Sequence, residues 1–171
     1  PEAFGPVDTS RLLLVVGAAR REARATIRPL TPAADADVAW HKPQVVVHGV
    51  VVLYEITLRP LYFRATSPAA RVLTLAHELW HAGPTFDGSL PAARRHRVAR
   101  GAQVEAEVTE ALARWRQRSS HAARVSAAAT APGLYRLDAW LCRPPSRIPA
   151  TSSARRRYGD ADLYPQLIEQ L

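Results

Sequence analysis

The chain of 171 residues contains one cysteine, one lysine and no methionine. A lone Cys142 excludes a disulfide framework and any zinc site built from clustered cysteines. With Lys42 the only lysine, nearly all positive charge sits on arginine, and 23 Lys+Arg against 15 Asp+Glu give a formal +8. That excess admits nucleic acid, an acidic protein or another anionic surface as partner, with biased codon usage as the alternative origin of an Arg-rich, Met-free chain. Long apolar runs are missing too. The nearest to a targeting segment, Leu12 to Ala19, is far too short to span a bilayer and runs straight into Arg20, Arg21 and Glu22. The expectation is a soluble, cytoplasmic protein with no membrane partner.

What is present suffices for a core: apolar residues make up 47% of the chain and charged residues 22%, the balance of an ordinary globular domain. A chain of this length reads as one domain, over residues 1–150, with 151–171 as a tail packed onto it. Residues 10–28 carry Leu12, Leu13, Val16, Ala19, Ala23 and Ile27 near a 3.6 period and read as an amphipathic helix ended by Pro29. The β-branched run QVVVHGVVVLYEITL, residues 44–58 and broken by Gly49, reads as two short strands or one bulged strand buried on both faces. Ser67, Pro68, Gly83 and Pro84 punctuate a helix over 68–82. A second long helix is expected over 98–118, a loose connection over 119–132, a mobile stretch over 152–157 and a short packed helix over 160–171.

The middle of the 68–82 helix reads AHELWH. Residues four apart lie one turn apart on one face, so His77 and His81 can direct two imidazoles at one metal ion. Glu78, one position round, can reach a water at that metal without being a ligand and take its proton. A chance HExxH in a chain of this composition has a probability of about one in a hundred. Its mid-helix place, after a strand segment and with Leu73, Ala76 and Trp80 available for burial, favours zinc over two histidines that share a turn by accident. Trp80 reads as an anchor for the helix.

Catalytic zinc needs three protein ligands and an open position, and three candidates for the third stand downstream: Asp87 in HELWHAGPTFD, His96 in AARRHR and Glu105 on the next helix. If Asp87 is not a ligand, FDG forms a turn, with Asp87 accepting a backbone N–H and Gly88 supplying positive φ. Over residues 10–118 the chain resembles the SprT-like zinc metallopeptidases and the related phage-type metallopeptidases. The likeness rests on HELWH, on the order of segments before it, and on FDGSLPAARRH, with His96 fifteen residues after His81. It implies an α+β, minimal zincin-like fold, with a small β-sheet, an N-terminal helix and the HExxH active-site helix. It also implies a zinc-dependent peptidase acting on protein or peptide, His96 being the third ligand. No segment matches that family's zinc-ribbon tail, which would need cysteines.

Tyr62, shortly before the active-site helix, is a candidate oxyanion stabiliser, with packing the competing role. His48, within an apolar run, reads as a core or sheet histidine, and His41 and His121 as exposed. Arg94, Arg95, Arg97 and Arg100 cluster beside the third-ligand candidate, where they could bias a cleft toward acidic substrate or phosphate. The alternatives to a plain peptidase are a DNA-associated basic protein with SprT-like protease activity and a non-catalytic interaction module on the same fold.

Overall fold

The run LLLVV is a strand. In the computed structural model, which describes residues 4, 6–18, 23–31, 39–95, 101–118, 134–151, 157–164 and 168–170, it forms β1 (Leu12–Val16), and β2 (Ala25–Pro29) follows. The N-terminal helix expected over 10–28 is therefore corrected to two strands. A short apolar run fits either period, and the partner decides. Buried Leu13 and Val15 alternate with half-buried Leu12, Leu14 and Val16, which is the two-residue period of a strand between two layers.

Next come β3 (Trp40–His41), β4 (Val46–Val47) and β5 (Val50–Val51), then β6 (Tyr54–Leu58). In place of the two short strands or one bulged strand expected over 44–58, the chain forms three strands. β4 and β5 form a hairpin around His48 and Gly49, which both take positive φ, 50° and 79°, as a two-residue hairpin turn of the primed type demands. This corrects His48: it is no core histidine but a turn residue with its side chain 87% exposed beside Asp160, whose carboxylate accepts the His48 backbone N–H at 2.9 Å.

β6 is the middle of a three-stranded mixed sheet, parallel to β1 with Leu12 opposite Tyr54, and antiparallel to β2 with Ile27 opposite Ile56. All five of its residues are buried. The helices follow: α1 (Pro60–Ala65), α2 (Pro68–His81) and α3 (Gly101–Arg118). α2 lays Leu75 and Leu79 against Ile56, Leu58 and Ala25 on one face of the sheet. α3 caps α2 in turn, packing Val104 and Val108 on Ala76 and Trp80.

The opposite face is closed by the C-terminal segments. Short strands β7 (Leu134–Arg136) and β9 (Ile168–Gln170) pair with each other, and β8 (Ile148–Pro149) pairs with β3. Tyr158 and Leu163 join Leu13, Val15, Leu30, Val45, Val47 and Val52 in the core there. The helix expected over 160–171 is replaced by a single 3-10 turn, Asp160–Asp162, a bridge from Leu163 to Trp140, and β9; Pro165 within that stretch cannot donate to a helical ladder. The connection expected over 119–132 and most of the stretch 152–157 lie outside the described residues. The architecture is α+β, with mixed helices and small sheets, and among the described residues no helix is long and apolar enough to cross a membrane.

One charged group sits inside this core. Glu55 of β6, fully buried, accepts hydrogen bonds from Arg28 of β2 at 2.7 Å, Thr57 at 2.9 Å, the Trp140 indole at 2.8 Å and Arg143. Burial pushes its carboxyl up, but the Arg28 guanidinium, then Arg143 and Thr57, outweigh that and hold it below the usual carboxylate range. Because removing one partner of a buried ion cluster strands the others, Glu55→Ala should destabilise the protein by about 3 kcal/mol in urea unfolding. Glu55→Gln should fall between; wild-type stability in both would show the cluster to be inert.

Candidate functional site

Local signals build α2 as the sequence predicts. The Ser67 hydroxyl caps its start by accepting from the Ala70 N–H at 3.3 Å, and Pro68 takes the first helical position. Its end is set by Gly83, whose φ of 78° permits the reversal and whose N–H reaches the Trp80 carbonyl at 3.2 Å. A side chain at Gly83 would also meet the Pro91 ring at 2.8 Å. Within this frame the His77 and His81 rings lie 5.0 Å apart, edge to face at 80°. His77 is half-buried and His81 is buried.

Glu78 points toward the sheet. In β2 the even-numbered residues bond to β6, as in the Leu30 N–H to Leu53 carbonyl bond, so odd-numbered Ile27 turns its N–H to the outer edge. There the Ile27 N–H donates to the Glu78 carboxylate. Glu78 is only 7% exposed, and burial pushes its carboxyl up to about 7 despite that bond. A buried carboxyl poised near neutrality, next to His77 in sequence, is a group suited to moving a proton.

The segment after α2 is pinned to the sheet by a residue that sequence reading passed over. Tyr54 of β6 is fully buried and packs on Phe86, ring centroids 4.9 Å apart. Its hydroxyl donates to the Ser89 carbonyl at 2.8 Å and accepts from the Gly88 N–H at 2.8 Å. Asp87 faces away and organises the turn, accepting from the Ser89 N–H at 2.9 Å, the Ser89 hydroxyl at 2.6 Å and the Thr85 hydroxyl at 3.0 Å. Gly88 has φ of 91°, and a Cβ there would stand 1.9 Å from the Thr31 hydroxyl. FDG is thus a turn, the alternative to a ligand role for Asp87.

Beyond this turn the chain returns to α2. Arg94, ending a 3-10 turn over Ala92–Arg94, donates from its guanidinium to the Trp80 carbonyl at 2.7 Å and lies over the indole, 4.9 Å from the ring centroid. The Arg94 carbonyl meets His81 Nδ1. Trp80 is buried, and its indole N–H donates to Glu107 of α3 at 3.2 Å.

Two imidazoles one turn apart fit the nitrogen ligands that zinc prefers. Among the described residues, however, no group of three His, Cys, Asp or Glu could hold a metal ion. Asp87 and Glu105 are both exposed. Sequence spacing brought both forward, but Asp87 is held by its own turn and Glu105 lies one position past buried Val104, on the outer side of α3. His96 lies outside the described residues. Tyr62 is 38% exposed on α1, with the Arg59 guanidinium 4.7 Å from its ring centroid, and no described contact joins it to the pair. The chain, compared with protein-family models, curated proteins and solved structures, matches none of them.

Glu78 also sets a pH dependence for the metal-free protein. Its carboxyl titrates at about 7 when folded, against an ordinary value near 4.5, so between those values the native state holds more protons than the unfolded chain. The contribution of this group to stability is then fully present below pH 4.5 and is lost as pH rises through 7. With chelator present, Glu78→Gln should match wild type at pH 4.5 and exceed it at pH 8 by up to roughly 3 kcal/mol in denaturant unfolding. A gap that does not change with pH would show that this carboxyl is not buried at a cost.

Proposed function

We propose that the chain is a zinc-dependent metallopeptidase with a zincin-like active site. The observation that carries this reading is the arrangement on α2: adjacent His77 and His81 rings and, between them in sequence, a buried glutamate poised near neutrality. His96 is the favoured third ligand. It follows Arg94 by two residues in sequence, and the Arg94 carbonyl touches His81.

Zinc, when bound, polarises the scissile carbonyl and makes water a better nucleophile. Glu78 then takes the proton of the attacking water on a carboxylate oxygen and passes it to the leaving amine. It can do so while still accepting the Ile27 N–H, since a carboxylate has acceptor sites on both oxygens, and that bond favours its ionised form. An extended peptide suits the surroundings. No described strand pairs with the outer edge of β2, so its backbone groups beside Glu78 can pair with a substrate strand.

Elemental analysis of the purified protein should find one equivalent of zinc, lost in His77→Ala, His81→Ala and His96→Ala and kept in Asp87→Ala and Glu105→Ala. Glu78→Gln should keep the metal and lose peptide hydrolysis by at least about a hundredfold, the low end for a general base. A metal-free wild type after reconstitution, or an active Glu78→Gln, would defeat this reading.

A second reading, a basic protein that works on DNA, is favoured by the end of α3. There Trp115, 37% exposed, stands among Arg114, Arg116 and Arg118, also exposed, the combination of aromatic face and cations that single strands stack on. It predicts oligonucleotide binding that weakens steeply with salt and weakens further in Trp115→Ala; no binding at low salt would dismiss it.

A further inference from the structure

We propose that Arg94 is a positioning residue for His81, fixing which ring nitrogen carries the proton and so which one faces a metal. The inference rests on reading His81 as a ligand, and it names the group that prepares it. A backbone carbonyl can only accept a hydrogen bond, so the contact between the Arg94 carbonyl and His81 Nδ1 requires the proton on Nδ1. The neutral ring therefore presents an unprotonated Nε2, the form a metal takes.

That carbonyl holds its place because the same residue is clamped by its side chain. The guanidinium donates to the Trp80 carbonyl at 2.7 Å, one residue before His81, and covers the Trp80 indole at 4.9 Å. Glu107, which accepts the indole N–H at 3.2 Å, also acts electrostatically on the Arg94 charge. The last turn of α2, the loop beyond it and α3 thus converge on one arginine. Its side chain touches neither substrate nor metal in this scheme; it acts through its own carbonyl on the imidazole. Losing a partner of this kind lowers metal affinity by roughly 10–100-fold.

The test reads the ring before it reads the enzyme. In metal-free protein at pH 8.5 (about two units above an ordinary histidine), nitrogen-15 NMR of the imidazoles should show His81 protonated on Nδ1 alone. Arg94→Ala should give a mixture of tautomers and zinc affinity weakened by roughly 10–100-fold. Arg94→Lys, which restores a donor to the Trp80 carbonyl, should recover much of both. Should Arg94→Ala fail to fold, Arg94→Met decides, because it keeps an aliphatic chain on the indole while removing the guanidinium that donates to the Trp80 carbonyl. Wild-type tautomer in a folded Arg94→Met or Arg94→Ala would overturn the proposal, and so would a wild-type His81 protonated on Nε2. A wild type that binds no zinc yet shows the Arg94-dependent tautomer would overturn the peptidase reading and leave the positioning role standing.

Discussion

A carboxylate in the middle of a sheet has to be answered from every side, and Glu55 is answered by groups from three parts of the chain. Arg28 comes from the neighbouring strand, Thr57 from its own, and Trp140 and Arg143 from the segment that closes the far face. Ionised and buried, it would be prohibitively costly alone; with these partners it ties β2, β6 and the C-terminal cover into one arrangement. The cluster fixes where β2 lies against β6, and β2 carries the Ile27 N–H that meets Glu78.

Alternation along β6 divides the work. Glu55 and Thr57 face the C-terminal cover, while Tyr54, Ile56 and Leu58 face α2 and the loop beyond it. Tyr54 uses its one hydroxyl as donor and acceptor to hold residues 88 and 89, and the chain then runs through the turn at Pro91 to place Arg94 on the end of α2. The strand that bears the buried charge thus also fixes the loop that returns to His81.

The parts that sequence made legible are those that local chemistry dictates. Ser67, Pro68 and Gly83 bound α2 almost to the residue, and the i, i+4 spacing of His77 and His81 put the two rings side by side. The turn reading of FDG had a local cause in Asp87 and Gly88. Failures occurred where distant partners decide. LLLVV has no helical or extended preference strong enough to stand alone, and it became β1 because β6 lies beside it. His48 looked apolar by its neighbours, yet a two-residue hairpin turned it outward with positive φ. Tyr54 and Glu55 did carry a signal: two polar groups in a run otherwise apolar must find buried partners. What those partners would be is a long-range fact that no window of sequence contains.

Arg143 and Glu55 are 88 residues apart, and this distance orders events during synthesis. At ribosomal rates the carboxylate waits on the order of 10 s for its second arginine to be made. In that interval a nascent chain contains the residues of β1, β2 and β6 but lacks the segment that covers one face of their sheet, and of the two arginines that meet the charge only Arg28 has been made. The half that carries HELWH is therefore complete in covalent terms well before its sheet can be sealed, and a chain stopped short of Arg143 would leave the ribosome with a charged, half-covered sheet open to other chains.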